Sequence, residues 1–274
     1  MLKLFCFPGL LTVTILLIVP QPMVAQSLKL LHKVPIGKPT AISVDKRRLL
    51  YISDEQGNVY QYDTTGQRLL NFSPPRPRDV SLLEAWQSLR IFLFYREYQE
   101  YTLLDRFLTP PATQAAYQFN PEQIGFAQVA TMAADNNLWV LDNRDFSLKK
   151  YDPIREMTLV HTALDLVLDP SNYDINFIRE YQNILLINDR QQGILLFDNL
   201  GNYQRTLPYP NLNYLGVTQN ALCFLQGTNL CFYDLYQGHE YKIKLPQEPE
   251  WLFATLVGNR IAALSRNHLF IFEK

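Results

Sequence analysis

The stretch Tyr95-Arg96-Glu97-Tyr98-Gln99-Glu100-Tyr101 interleaves tyrosines with charged and amide side chains. Aromatic rings beside arginine anchor protein interfaces and stack on sugars, because a rigid apolar face and a multidentate cation lie within one contact. Arg96 also belongs to a series. Apolar runs end in turn at Asp54, Arg96, Asp142, Asp189, Gln226 and Arg266. Aspartate in such a position readily accepts backbone N–H groups of its own turn. Arg96 and Arg266 break that pattern, which makes them the stronger binding candidates, with Tyr95, Tyr98, Asp142 and Asp189 beside them.

Catalytic signatures are harder to find. His32, His161, His239 and His268 are scattered without the paired spacing of a metal site, so no metal is expected. There is no Gly-x-Ser-x-Gly elbow, no phosphate-binding loop and no glycine-rich dinucleotide turn. Asp165 and Asp169 flank the apolar Leu166-Val167-Leu168, a pattern of burial rather than of an acid pair. No catalytic residue and no cofactor are predicted. A second acidic series, Asp63, Asp105, Asp152, Asp198, Asp234 and Glu273, recurs at intervals of roughly 40 residues, and its regularity suits turn capping.

These residues must be held by a repeating scaffold. Between Leu49 and Gln67 a β-branched and aromatic run closes on Asp54, a turn contains Gly57, and an alternating run closes on Asp63 and a Thr-Thr-Gly turn. Five later segments repeat this grammar. Repeats of about 40 residues built from paired apolar runs, with no sustained helical period, predict an all-β, six-bladed β-propeller with four-stranded blades. The sixth unit stops at Lys274 after its third strand. The alternating run Leu28 to Val34 supplies the missing strand and would close the ring, removing an exposed edge. The connections Arg106 to Val129 and Pro153 to Asp174 read as long loops on the face that carries Arg96. Small polar residues in the innermost strands, Ser43, Ser81, Thr131, Thr218 and Thr255 with Asn176, predict a water-filled central channel.

Residues 1–26 read as an export signal, with Lys3, an apolar run from Phe5 to Val19 and a small-residue cleavage site at Met23-Val24-Ala25-Gln26. The propeller then occupies residues 27–274, exported to the periplasm or cell surface with no membrane span in the mature chain. The 25 basic and 26 acidic residues nearly balance, which argues against nucleic acid as a partner. Cys223 and Cys231 remain in the mature chain. They are a possible disulfide if directly opposite each other on adjacent strands, and two buried thiols otherwise.

Ile52-Ser53-Asp54, Val59 to Asp63 and Gly66, together with Leu185 to Asp189, Ile194 to Asp198 and Gly201, resemble the core of NHL-type propeller repeats. Leu138-Trp139-Val140-Leu141-Asp142 is similar. Leu93 to Tyr98 with Leu104-Asp105 resembles small exported bacterial propellers of no assigned activity. The resemblance implies a non-enzymatic binding scaffold, monomeric and meeting a protein partner in the cell envelope. The related calcium-dependent lactonase propellers hold their metal in the channel with a Glu and several Asn or Asp ligands. Of these only Asn176 has a counterpart here, and a metal-dependent hydrolase or a glycan-binding propeller working at the channel mouth is the alternative reading.

Overall fold

In the computed structural model, which describes residues 28–112 and 116–274, six four-stranded antiparallel sheets form a ring. The predicted export segment, residues 1–26, lies outside the described residues. The chain enters through β1 (Leu30–Pro35), which is taken up below. Blade 1 is β2 (Pro39–Val44), β3 (Leu50–Asp54), β4 (Val59–Tyr62) and β5 (Arg68–Phe72). Blade 2 is β6 (Leu82–Glu84), β7 (Arg90–Tyr95), β8 (Glu100–Asp105) and β9 (Tyr117–Gln118). Blade 3 is β10 (Ala127–Met132), β11 (Leu138–Asp142), β12 (Ser147–Asp152) and β13 (Met157–Ala163). Blade 4 is β14 (Ile175–Tyr181), β15 (Ile184–Asp189), β16 (Gly193–Asp198) and β17 (Tyr203–Leu207). Blade 5 is β18 (Gly216–Thr218), β19 (Ala221–Gln226), β20 (Asn229–Asp234) and β21 (Glu240–Lys244). Blade 6 is β22 (Phe253–Val257), β23 (Arg260–Leu264) and β24 (His268–Glu273), completed by β1.

The closure is an antiparallel ladder in which Leu30 faces Phe272 and Pro35 faces His268. Apolar side chains of the inner three strands, Trp139, Ile187, Leu195 and Phe197 among them, are sealed between blades. Such burial is the main favourable term in folding. The outermost strands alternate with solvent, as Met157–Ala163 shows residue by residue.

Aspartates set the turns. Asp63 Oδ1 accepts the amides of Thr65 and Gln67 at 2.8 and 2.9 Å. Asp105, Asp198 and Asp234 repeat the arrangement at the same place in their blades. Gly57 is required in the turn after β3. Its φ is +80°, and an added Cβ would lie 2.1 Å from the carbonyl oxygen of Arg78.

Two expectations change, and a third, left open, is decided. Pro153 to Asp174 is not one long loop, because it contains β13, whose Thr-Leu-Val alternation completes blade 3. Arg106 to Val129 likewise contains β9 and the start of β10. The third concerns the cysteines. They are free thiols, since Cys223 faces Phe232 and Cys231 faces Phe224. That one-residue offset turns the two sulfurs to opposite faces of the sheet, where no bridge can form. Burial pushes the Cys223 thiol up to about 12, leaving almost no thiolate near neutrality. Intact mass is therefore expected to be unchanged by reduction, with both thiols alkylated by iodoacetamide only after unfolding; a mass gain on reduction would contradict the register.

Candidate functional site

Each blade presents turns at both ends, which gives the ring two faces. One carries the turns between first and second and between third and fourth strands. The other carries the turns between second and third strands and the links between blades, and Arg96, Asp142, Asp189 and Arg266 lie at this second face.

Between the faces, the channel holds a charge pair that the hydroxyl pattern did not foretell. Arg179, in the middle of β14, reaches across from blade 4, and its Nε donates to Glu84 Oε2 of blade 2 at 2.5 Å. Its Nη1 donates to the carbonyl of Leu215 in blade 5 at 2.8 Å, and its Nη2 to Ser43 Oγ in blade 1 at 3.2 Å. Four blades thus meet on one guanidinium. Glu84 is fixed from its other side, where Oε1 accepts the Trp86 amide at 2.7 Å and the Ser43 hydroxyl at 3.3 Å. Phe177 and Tyr214 lie against the guanidinium at 5.1 and 5.4 Å. Desolvation works to push Arg179 down, but the Glu84 charge and the Tyr214 hydroxyl outweigh it and hold the group above its ordinary value.

The expected water-filled channel is corrected in part. Ser43, Thr131 and Thr255 are buried, whereas Ser81, Asn176 and Thr218 are half-buried and Glu84 borders a 520 Å³ hollow. Ser43 serves the ion pair, Ser81 Oγ accepts the Arg96 amide at 3.1 Å, and Asn176 Nδ2 donates to the Leu212 carbonyl at 3.1 Å in the link to blade 5. The available signal was a lone arginine inside the buried run Phe177 to Tyr181, matched by a lone acid ending β6.

The six residues singled out in the sequence divide into two groups. Asp142 is fully buried and holds the link to blade 3: it accepts Gly125 and Phe126 amides at 2.8 and 2.9 Å and Lys149 Nζ at 2.7 Å. Burial would raise its carboxyl, but Lys149 and the amides of Phe126, Gly125 and Arg144 more than offset this and hold it below the carboxylate range. Asp189 repeats the role, accepting Asp174 and Gln191 amides at 2.8 and 3.0 Å. Where blade 3 has Lys149, blade 4 has Leu195, and Asp189 Oδ2 is buried with no hydrogen-bond partner among the described residues. Tyr95 is also interior, 1% exposed, and burial pushes its hydroxyl up to about 12.

Arg96, Tyr98 and Arg266 remain at the surface. Arg96 and Tyr98 belong to a single 3-10 turn, Arg96–Tyr98, and Tyr98 is 49% exposed. Arg78 lies over both Tyr95 and Tyr98, at 4.9 and 5.2 Å from the ring centres, and pairs with Glu100 at 3.0 Å. Arg266 lines a 450 Å³ cleft with Lys38, Glu250 and Asn267. Lys38 in turn pairs with Glu55. Between Glu55 and Arg96 lies Asp79, whose carboxyl is pushed up by desolvation and by the charges of Glu97 and Glu55, against the opposing pull of the Thr40 hydroxyl and the Arg96 charge. Arg266 and Arg96 therefore stand at the two ends of one charged arc over blades 6, 1 and 2. Neither guanidinium has an ion-pair partner among the described residues. A neighbouring cleft of 420 Å³, sharing Pro249, Glu250 and Leu252, adds Trp251 and the amides of Asn211, Asn213 and Gln247. Sequence alone offers no reason to join these, because the link from β21 to β22 that carries Gln247 to Trp251 has no repeat counterpart.

The chain is thus a six-bladed β-propeller. Solved structures of the same fold include streptogramin B lyase, 13% identical over 91% of this chain and 99% of that one, with a TM-score of 0.64. The β-propeller domain of Cps50 (Swd1) from Myceliophteria thermophila is 12% identical over 90% of this chain and 100% of that one, TM-score 0.61. A catalytically inactive virginiamycin B lyase from Staphylococcus aureus, solved with quinupristin, is 10% identical over 89% and 99%, TM-score 0.59. At such identity the likeness is one of fold. No protein-family model matches the sequence, and no curated protein matches it. Among the described residues no three His, Cys, Asp or Glu side chains converge as metal ligands would, and no helix is long and apolar enough to cross a membrane.

Proposed function

We propose that this propeller is a non-enzymatic binding scaffold of the cell envelope, exported by its N-terminal segment, that engages a protein partner through the arc from Arg96 and Tyr98 to Arg266. The observation that carries this reading is the Arg179–Glu84 pair. It fills mid-channel with a buried cation whose counter-charge is already supplied, so a metal ion there would meet repulsion rather than a ligand set. Binding is left to the faces. On the face used here, two guanidiniums that form no direct ion pair among the described residues, Arg96 within reach of the Asp79 charge, and an exposed tyrosine are the kinds of side chain that dominate interface energetics.

The test is affinity purification of the tagged mature chain from gently solubilised envelopes, with mass spectrometry of what accompanies it, beside an Arg96→Ala/Tyr98→Ala/Arg266→Ala variant. One reproducible protein partner is expected, depleted at least about tenfold in the variant, since hydrogen bonds to charged groups contribute about 1.5–3 kcal/mol each. No partner from a well-folded preparation, or one retained by the variant, would sink the reading. A glycan reading is favoured by one observation, the amide-lined cleft at Trp251, and a glycan array on the same preparation separates the two.

A further inference from the structure

The opposite face carries a cleft of different character. Between blades 2 and 3 an opening of 510 Å³ is walled by Leu103, Tyr117, Met132 and Leu138. Its lips are Leu89, 69% exposed, and Ile154, 91% exposed, one from each blade. Large aliphatic side chains left in water on both sides of an apolar hollow mark a binding surface more often than a lone exposed leucine does. The volume falls in the range of small-molecule sites, about 300–1,000 Å³.

Two charges line this hollow, Arg90 and Asp105. Arg90 faces Asp105 across the β7–β8 ladder, yet the two form no ion pair among the described residues. Asp105 turns to its own turn, where Oδ1 accepts the Phe107 and Thr109 amides at 2.8 and 2.9 Å. Arg90 instead crosses the gap between blades and donates from Nη1 to Asn136 Oδ1 at 3.2 Å. Asn136 is held in the left-handed region, φ 67°, in the turn before β11. Its side-chain NH₂ has no partner among the described residues. A guanidinium and an amide N–H are thus presented together at the rim of an apolar cavity. Arginine in such a position recognises a carboxylate through two parallel hydrogen bonds.

We propose that this cleft binds a small free carboxylate with an apolar tail, its head at Arg90 and Asn136 and its tail between Leu103, Tyr117, Met132 and Leu138. The site is on the face away from Arg96 and Arg266 and is independent of the scaffold reading. Both requirements are separable. The tail removes apolar surface from water, and the head pairs a guanidinium that its cross-strand neighbour leaves unpaired.

Isothermal titration calorimetry of the full propeller with octanoate, octanol and acetate tests this. Octanoate is expected to bind, octanol at least about tenfold more weakly, and acetate without measurable heat. Arg90→Gln should weaken octanoate by about tenfold and leave octanol unchanged. Leu89→Ser/Ile154→Ser, which alters only solvent-facing side chains and keeps the wild-type circular dichroism, should weaken octanoate and octanol together. Equal affinity for octanoate and octanol, an Arg90→Gln variant that binds octanoate as wild type does, or no octanoate binding overturns the proposal.

Discussion

Glu84→Ala is expected to lower the unfolding free energy by about 3–5 kcal/mol, the usual cost of removing one partner from a buried ion pair. For a domain of this size that is a fall in Tm on the order of 10 °C. The reason is local. Arg179 would keep its charge at the centre of the ring, with the Ser43 hydroxyl and the Leu215 carbonyl left to solvate it. Arg179→Met alone should cost a similar amount by stranding Glu84. The double variant Glu84→Ala/Arg179→Met should lose far less than the two singles together, because removing both partners avoids the uncompensated charge. Urea unfolding of the four proteins gives the cycle. A double variant whose loss equals the sum of the singles would show that the pair is not coupled and that the channel owes its closure to packing.

Lys149→Met is expected to be of comparable size, about 3–5 kcal/mol. Lys149 is 4% exposed and neutralises Asp142 at 2.7 Å and Asp145 at 2.8 Å. Here the pH dependence identifies the cause. Asp145 is held down to about 2 against desolvation by Lys149, Ser147 and His161, and Asp142 is held below its ordinary value in the same way. A carboxyl with a depressed folded-state pKa contributes stability that is complete above its unfolded value, about 4, and is lost as pH falls through its folded value. The gap between wild type and Lys149→Met should therefore be full above about pH 4 and narrow toward about pH 2. A gap that does not change over that interval would assign the loss to packing of the lysine stem instead. Since Asp142 also holds the Gly125 and Phe126 amides, hydrogen exchange should quicken in the link ahead of β10 before it quickens elsewhere.

The fold was legible because its signals are local. A β-branched run, an aspartate and a turn need no distant partner to be recognised, and counting them located six blades and the closing strand. The fourth strands were less visible. β13 was absorbed into a supposed loop because Met157–Ala163 is half exposed and mixes polar with apolar residues, as outermost strands do. The candidate site was legible in part. Arg96 and Arg266 interrupt a repeated aspartate, and the structure leaves both at the surface; Asp142 and Asp189 follow the repeat and prove to be buried fasteners. What sequence could not convey is which residues meet across the ring. Arg179 and Glu84 are 95 positions apart, and nothing in either neighbourhood announces the other. The cysteine offset was lost for the opposite reason, since a single residue of register decides it.

The closing strand has a mechanical meaning. Five blades are each stitched from strands that follow one another directly, whereas blade 6 is fastened by residues from the two extremes of the described chain, Leu30 opposite Phe272. Bringing such distant segments together costs roughly 5 kcal/mol in chain entropy, so this seam forms late and is the natural one to part. Tension applied through the residues before Leu30 would be borne first by the β1–β24 ladder, and peeling it would bare β24 as an unpaired edge able to capture a strand from another molecule. A tether or fusion attached there pulls on the zip of the ring, while the same load placed on an outer turn of blade 3 or 4 pulls on a hairpin that its own neighbours hold shut.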